Sequence, residues 1–281
     1  MKPVEVLARR GWEAGLRLGF QKRGGRSVLA SRASHGPLAI QKALYPEGGA
    51  VCHAILLHPP GGIAGGDRLA ISIDVGPQAH ALLTTPGATK WYRCAGEQAS
   101  QRVDIAVRRD AVCEWLPQES IFFDGSMAHN AVNVELEQDA AFCGWDVMCL
   151  GRTARGERLA SGRVRQHLRV AVDGRPLFEE LGTIEGGGAA LDSAAGLAGY
   201  PVCGTFVAAG IRADGDALAA CRGVAAKGDG KWGVTAMEGI IVARCLAHSA
   251  EAARGYFLGL WEHLRPRYAR MPCRAPRIWA T

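Results

Sequence analysis

Arg68-Leu69-Ala70-Ile71-Ser72-Ile73-Asp74-Val75 alternates along its whole length. Leu69, Ile71, Ile73 and Val75 fall on one side, and Arg68, Ser72 and Asp74 on the other, so the stretch reads as a strand with one buried face. The pattern recurs downstream. In residues 130–137 the apolar side is Val132, Val134 and Leu136; in residues 166–172, Leu168, Val170 and Val172 alternate with His167 and Arg169. Asp173-Gly174 then precedes Pro176-Leu177-Phe178, a hairpin signal because a tight two-residue turn needs positive φ. Residues 51–57 and 81–85 are further candidate strands flanking a Gly- and Pro-rich loop. One strand follows another with no helix between, which argues for an antiparallel or coiled all-β body and against a parallel α/β sheet.

The last eighty or so residues change character. Residues 202–211 read as a buried strand, and Asp216 as the cap of a helix over 217–226. Residues 232–237 and 240–247 form a hairpin pivoting at Glu238-Gly239. Ser249 caps a second helix, in which Tyr256, Phe257, Leu260, Trp261 and Leu264 recur at helical spacing. Pro266, lacking an N–H, is expected to end it. The order β-α-β-β-α implies a small α+β portion with two helices. Gly186-Gly187-Gly188 and the Ala-rich stretch to Gly199 read as a linker. The fold expected is therefore mainly β, with short strands in a coiled arrangement: a β-rich body over 1–200 and an α+β C-terminal subdomain over 201–281 packed on it. No internal repeat stands out at a fixed period.

Composition narrows the classes. Of 281 residues 48% are apolar and 21% charged, which excludes a disordered or collagen-like chain. The 37 glycines suit a chain of strands and turns. Net charge is +6, but the basic residues form no stripe and aromatics are 7%, so nucleic acid is not an expected partner. The first residues include Glu5, Arg9, Arg10, Glu13 and Arg17 and lack the apolar run of a signal peptide. There is no stretch of membrane-spanning length. The expected compartment is the cytoplasm, where nine scattered cysteines with no Cys-x-x-Cys stay reduced and serve mostly as small buried hydrophobes.

The segment richest in possible chemistry runs from His58 to Arg93. Gly61, Gly62, Gly65 and Gly66 let the backbone bend and approach other groups closely, a structural loop in the first instance. It is not a P-loop, since Asp67 and Arg68 follow the last glycine where Lys-Ser/Thr belongs, and the alternating strand after it rules out a dinucleotide fingerprint. No Gly-x-Ser-x-Gly elbow and no His-Glu-x-x-His set is present. What remains are single polar residues beside glycine or apolar neighbours: His58, Asp67, Thr89, Asp146 and Glu179. Each suits a turn, a cap or a satisfied core group; together they offer oxygen and imidazole donors for weak, transient binding of a divalent ion. A hydrolase or transferase using Asp67 or His58 as its base is the alternative. The residues taken singly leave both open.

Longer strings carry a resemblance. His58-Pro59-Pro60-Gly61-Gly62-Ile63-Ala64-Gly65-Gly66-Asp67, followed by Thr84-Thr85-Pro86-Gly87-Ala88-Thr89-Lys90-Trp91-Tyr92-Arg93, resembles the signature of the urease accessory protein D family (UreD, also called UreH). The likeness continues through Glu114-Trp115-Leu116-Pro117-Gln118-Glu119, Ile121-Phe122-Phe123, Trp145-Asp146, Cys149-Leu150-Gly151-Arg152 and Pro276-Arg277-Ile278-Trp279. Gly11-Trp12, Gly36-Pro37-Leu38 and Tyr45-Pro46-Glu47 extend it toward the start, so it covers nearly the whole chain in order.

The resemblance implies a protein that is not an enzyme. Family members join a scaffold protein, UreF, and a GTPase, UreG, in a dimeric accessory complex that docks on apo-urease and delivers nickel. It further implies an unusual coiled β architecture, no permanently bound cofactor, and an internal water-filled passage for nickel in transit. Carried onto this sequence, the passage candidates are Asp67, Thr89, Asp146, Glu179 and His58, with Asp67 and Glu179 as transient metal contacts and only the hydroxyl of Thr89 expected to matter. Oxygen donors suit a path that must release its ion, whereas thiolates would hold nickel too well. Whether a cysteine such as Cys94 or Cys149 reaches the passage is left to the structure.

Overall fold

The computed structural model describes residues 11–280; Glu5, Arg9 and Arg10, which entered the reading of the first residues, lie outside the described residues. The strands of the first half are β1 (Glu13–Arg23), β2 (Arg26–His35), β3 (Ala39–Ile40), β4 (Cys52–Leu57), β5 (Arg68–Val75), β6 (His80–Thr84) and β7 (Thr89–Trp91). They continue as β8 (Ala99–Val107), β9 (Val112–Trp115), β10 (Ser120–Phe122), β11 (Met127–Leu136), β12 (Ala141–Leu150), β13 (Arg163–Val172) and β14 (Arg175–Glu185). The remainder holds β15 (Val202–Ala209), helix α1 (Gly215–Arg222), β16 (Gly230–Met237), β17 (Ile240–Ala247) and helix α2 (Ala250–Ala269).

Two sheets face each other. The first has the order β14-β13-β11-β8-β5-β1-β2, and the second runs β16-β17-β15-β12-β9-β6-β4-β3. The chain lays one strand in the first sheet, turns, lays the next in the second, and returns one strand further along. Strands β1, β5, β8, β11 and β13 therefore pair in parallel, as do β4, β6, β9 and β12. The result is a mainly β chain forming a β-solenoid of about four turns, with two helices in its C-terminal part. The expected coiled arrangement is the one found; its strands are parallel because the return leg of each coil is itself a strand in the opposite sheet. The alternation along β5 is real burial: Leu69, Ile71, Ile73 and Val75 all point into the space between the sheets.

The coils share a turn. Residues 76–79, 108–111 and 137–140 each place the third residue at positive φ (Gln78 59°, Asp110 58°, Asp139 64°) and bury an alanine at the fourth. The first N–H of each turn donates to the strand end of the preceding coil: Gly76 to Phe20 O (2.8 Å), Arg108 to Val75 O (2.9 Å) and Glu137 to Val107 O (2.9 Å). Coils are thus joined by the ladder and by the turns, which leaves few turn groups unpaired. A repeat does exist, although its period is not fixed. Ala79, Ala111 and Ala140 stand 32 and 29 residues apart, and a longer excursion separates β12 from β13.

The outer face of the second sheet is covered by α2, which buries Tyr256, Phe257, Leu260, Trp261 and Leu264 as its spacing requires. Ser249 caps α2 as expected, its hydroxyl accepting from Ala252 N at 3.2 Å. In α1 the cap is Asp214, not Asp216: the Asp214 carboxylate accepts from Ala217 N at 2.9 Å, and Asp216 sits inside the first turn. No helix among the described residues is long and apolar enough to cross a membrane.

Pro266 does not end α2, which runs on to Ala269. The reason lies in what that last turn holds. Arg265, fully buried, donates from Nε and Nη2 to Glu114 at 3.0 and 3.1 Å and from Nη2 to Glu47 at 2.9 Å. Tyr268 OH donates to Glu114 at 2.7 Å, and Trp261 Nε1 does the same at 2.7 Å. An interior proline costs a helix about 3 kcal/mol. Several charge-assisted hydrogen bonds, each worth about 1.5–3 kcal/mol, outweigh it.

The Gly186–Gly199 stretch is also not an extended linker. Gly186 N donates to Gly162 O and Gly187 N to Leu159 O, and Leu191 is buried beneath a short 3₁₀ turn (Ala189–Leu191). It closes the end of the coil. Beyond it, β15 pairs with β12 over eight residues, so the second sheet continues from the coils into the C-terminal strands.

Candidate internal conduit

Between the sheets lies a cavity of about 50 Å³, room for one or two waters. Its polar lining includes His58, Thr85, Thr89, Gln118, Asn130 and Asp146. Beside it, between β14 and strands β15–β17, opens a groove of about 550 Å³. Its polar groups include Asp146, Gln166, Glu180, Thr205 and Arg244. Asp146 is the residue common to both spaces.

Asp146 sits mid-strand on β12, opposite Thr205, and its partial exposure is to these two spaces. Asn130 Nδ2 donates to its Oδ2 at 3.2 Å, and Gln166 Nε2 donates to the same oxygen. Gln101 Nε2 in turn donates to Asn130 Oδ1 at 3.2 Å, so a line of carboxamides from β8, β11 and β13 converges on one carboxylate. Burial pushes the Asp146 carboxyl up to about 6, and the Glu180 charge acts in the same direction; the two amide donors oppose it.

The sequence-derived candidates divide. His58, Thr89 and Asp146 come together on the inner cavity. His58 Nε2 is buried with no hydrogen-bond partner; burial lowers the pKa of the ring, and the Asp67 charge partly offsets this. Asp67 does not line the cavity. Its Oδ1 accepts from Trp12 N and its Oδ2 from Ala64 N, both at 2.8 Å, so the carboxylate closes the glycine loop on itself and on β1's approach. That loop needs its glycines: Gly66 has φ 85°, and a Cβ on Gly62 would lie 2.4 Å from the Tyr92 ring. Gly61 and Gly65 complete the same bend. Glu179 faces outward from β14, half exposed, and pairs with His167 Nε2 at 2.9 Å.

Sequence reasoning missed Glu180. Its Oε1 accepts from Arg244 Nε and its Oε2 from Thr205 Oγ1, both at 2.9 Å, tying the first sheet to the second across the groove. The parity of β14 is set by a bulge. Val172 pairs with Arg175 and Ala171 with Pro176, yet Val170 pairs with Phe178, so Leu177 is an extra residue. Beyond it Glu180 lies opposite inward-facing Leu168, and Glu179 opposite Arg169. Without the bulge the two glutamates would exchange faces. Gln166 was missed too, although its position on the Leu168 face of an alternating strand was a usable signal.

Neither Cys94 nor Cys149 lines the cavity or the groove; the cysteines at the groove are Cys203 and Cys245. Burial holds the Cys203 thiol well above its ordinary range, and raises Cys245 to about 12. All nine cysteines are free, and most are buried. Among the described residues no three His, Cys, Asp or Glu side chains are grouped to hold a metal ion.

Fold and site together define a β-solenoid whose polar side chains are strung along its interior instead of converging on a nucleophile and base. The chain belongs to the UreD urease accessory protein family, whose model matches residues 13–280. It is 50% identical over 274 residues to the urease accessory protein UreD of Azoarcus sp. (strain BH72), covering 98% of this chain and 96% of that one. Identity is also 50% over 273 residues to the protein of the same name in Dechloromonas aromatica (strain RCB), covering 96% and 95%. To that of Methylobacillus flagellatus it is 46% over 270 residues, covering 96% and 95%. Accessory proteins of this family are non-catalytic, which displaces the hydrolase or transferase alternative built on Asp67 or His58.

Proposed function

We propose that this chain is a non-catalytic scaffold of urease maturation that joins UreF and the GTPase UreG on apo-urease and passes nickel through its own interior. Family membership supports the maturation role. The observation that supports an internal path is Asp146, which borders both the open groove and the enclosed cavity leading to His58 and Thr89. Nickel is cargo here, held in transit by oxygen and imidazole donors. In this reading Asp67 shapes the glycine loop at one end of the path, while Glu180 takes the inward place that the sequence assigned to Glu179. The complex is dimeric and works in the cytoplasm, with residues 201–281 acting as a subdomain seated on the coil.

The test is urease activity and nickel content in cells carrying the urease genes and the other accessory proteins, with and without this chain. Loss of nickel at unchanged urease abundance supports delivery. Asp146→Asn then separates a path from a plain scaffold: nickel-poor urease with the accessory complex still assembled is the expected result. Fully loaded urease from that variant would mean that nickel does not travel this way.

A further inference from the structure

One polar atom at the junction of groove and cavity is unaccounted for. Gln166 is only 9% exposed. Its Nε2 donates to Asp146, but its Oε1, equally enclosed, accepts nothing. Leaving a buried acceptor unpaired costs its lost hydration with nothing in return, so such an atom asks for a partner that is sometimes present. Gln166 lines the groove together with Asp146 and Glu180.

We infer that Asp146, Gln166 and Glu180 form a transfer point for a divalent cation, at which the Gln166 carboxamide turns over to exchange its N–H for its carbonyl oxygen. The inference rests on the reading that nickel passes through this chain. With no ion present, Nε2–H is the right group to face a carboxylate. With a cation on that carboxylate, the same N–H would point its positive end at the metal. A half-turn of the amide presents Oε1 instead, at almost no change of shape, since the two ends of a carboxamide are nearly isosteric.

Asn130 is not equivalent. Its Oδ1 already accepts from Gln101 Nε2 at 3.2 Å, so turning it over would break that bond and set two N–H groups against each other. Gln166 has no such anchor, and it alone is free to move. The resulting donors are all oxygen, the set from which a borderline cation is released readily, while the buried Cys203 thiol stays protonated nearby. Glu180 supplies the second negative charge. Its oxygens are held toward the groove by Thr205 and Arg244, and Arg244 lowers its affinity for the ion, which again favours passage over capture.

The experiment uses the full chain, radioactive nickel in equilibrium dialysis, and the variants Gln166→Leu, Gln166→Glu and Asp146→Asn. Circular dichroism checks that each variant folds. Gln166→Leu is expected to weaken nickel binding about tenfold, and Gln166→Glu, which fixes an oxygen at the same place, to tighten it about tenfold and slow the loading of urease in cells. Unchanged binding by both Gln166 variants overturns the inference, as does undetectable binding by the wild-type chain at millimolar nickel. Should Gln166→Leu fail to fold, Gln166→Glu alone decides. Asp146→Asn keeps the two ideas apart. If it empties urease of nickel while the Gln166 variants bind as wild type, the turning amide is wrong and the path stands. If urease is fully loaded with Asp146→Asn in place, the path itself is wrong.

Discussion

The guanidinium of Arg265 on α2 meets the carboxylate of Glu114 on β9, with Nε 3.0 Å from Oε1 and Nη2 3.1 Å from Oε2, and neither side chain is exposed to solvent. Glu114 also accepts from His80 Nε2 at 3.0 Å, and Glu47 joins Arg265 to His53 Nε2 at 2.7 Å. One guanidinium thus ties the loop before β4, the second sheet and the C-terminal helix into a single buried unit. Removing it strands two carboxylates out of water. Arg265→Ala is expected to destabilise the chain by about 3–5 kcal/mol, read from urea unfolding. A loss under about 1 kcal/mol would mean that α2 is held by its apolar face alone.

The pH dependence of Asp146 has a definite sign. Its carboxyl is raised from 3.8 to about 6 in the folded chain. A raised pKa stabilises the fold below the unfolded value, and that contribution fades as pH climbs through the folded value. Asp146→Asn removes the titration. The variant should therefore gain on the wild type between about pH 4 and pH 7, by up to about 3 kcal/mol. Paired urea unfolding curves at the two pH values measure the difference directly, and a constant gap would contradict the shift.

Pro266 offers a test of how α2 is kept helical. Because the helix continues past it, Pro266→Ala restores an N–H and relieves the ring clash without moving Arg265 or Tyr268. A gain of about 1–3 kcal/mol is expected. Circular dichroism should show no added helix, since the last turn is already formed; an increase in helical signal would place the true end before the proline.

Glu179 and Glu180 are neighbours in sequence with opposite expected phenotypes. Glu180→Gln weakens its link to Arg244 and should cost about 1–3 kcal/mol while lowering the nickel content of urease. Glu179→Gln loosens only an exposed contact to His167 and should stay within about 0.5 kcal/mol of wild type. Equal effects from the two would show that β14 does not keep its bulged register in solution.

The sequence was most readable where one residue's environment follows from its immediate neighbours. Strand β5 came out with its true ends, the Asp173-Gly174 turn has both residues at positive φ (47° and 76°), and the large apolar residues on the buried side of α2 were named, though not Ala253 or the buried Arg265. The coil itself was harder to see. Its return legs are as short as the four residues of β9, and excursions of unequal length hide the period even though the Gln/Asp-Ala turn marks each lap. Of the polar candidates, His58, Thr89 and Asp146 came from motif resemblance and meet in space. Gln166 was legible on the Leu168 side of β13 but was passed over, whereas Glu180 needed the register of β14. That depended on one bulge, which Leu177, an ordinary strand residue, does nothing to announce. Pro266 obeyed its tertiary partners over its local preference.

That bulge makes β14 a strand with two reading frames. If Leu177 instead took a regular place in the ladder, composition, charge and hairpin turn would be untouched, yet every later side chain of the strand would fall on the other side of the sheet. Glu179 and Leu181 would turn inward and Glu180 would leave the groove, taking its carboxylate away from Thr205 and Arg244. A one-residue insertion in the paired part of β14 is thus a switch of which side chains face inward, whereas the same change in the excursion between β12 and β13 would alter only the length of a loop. Among relatives of this chain, gaps should accumulate in the excursions and be nearly absent from the eleven residues of β14.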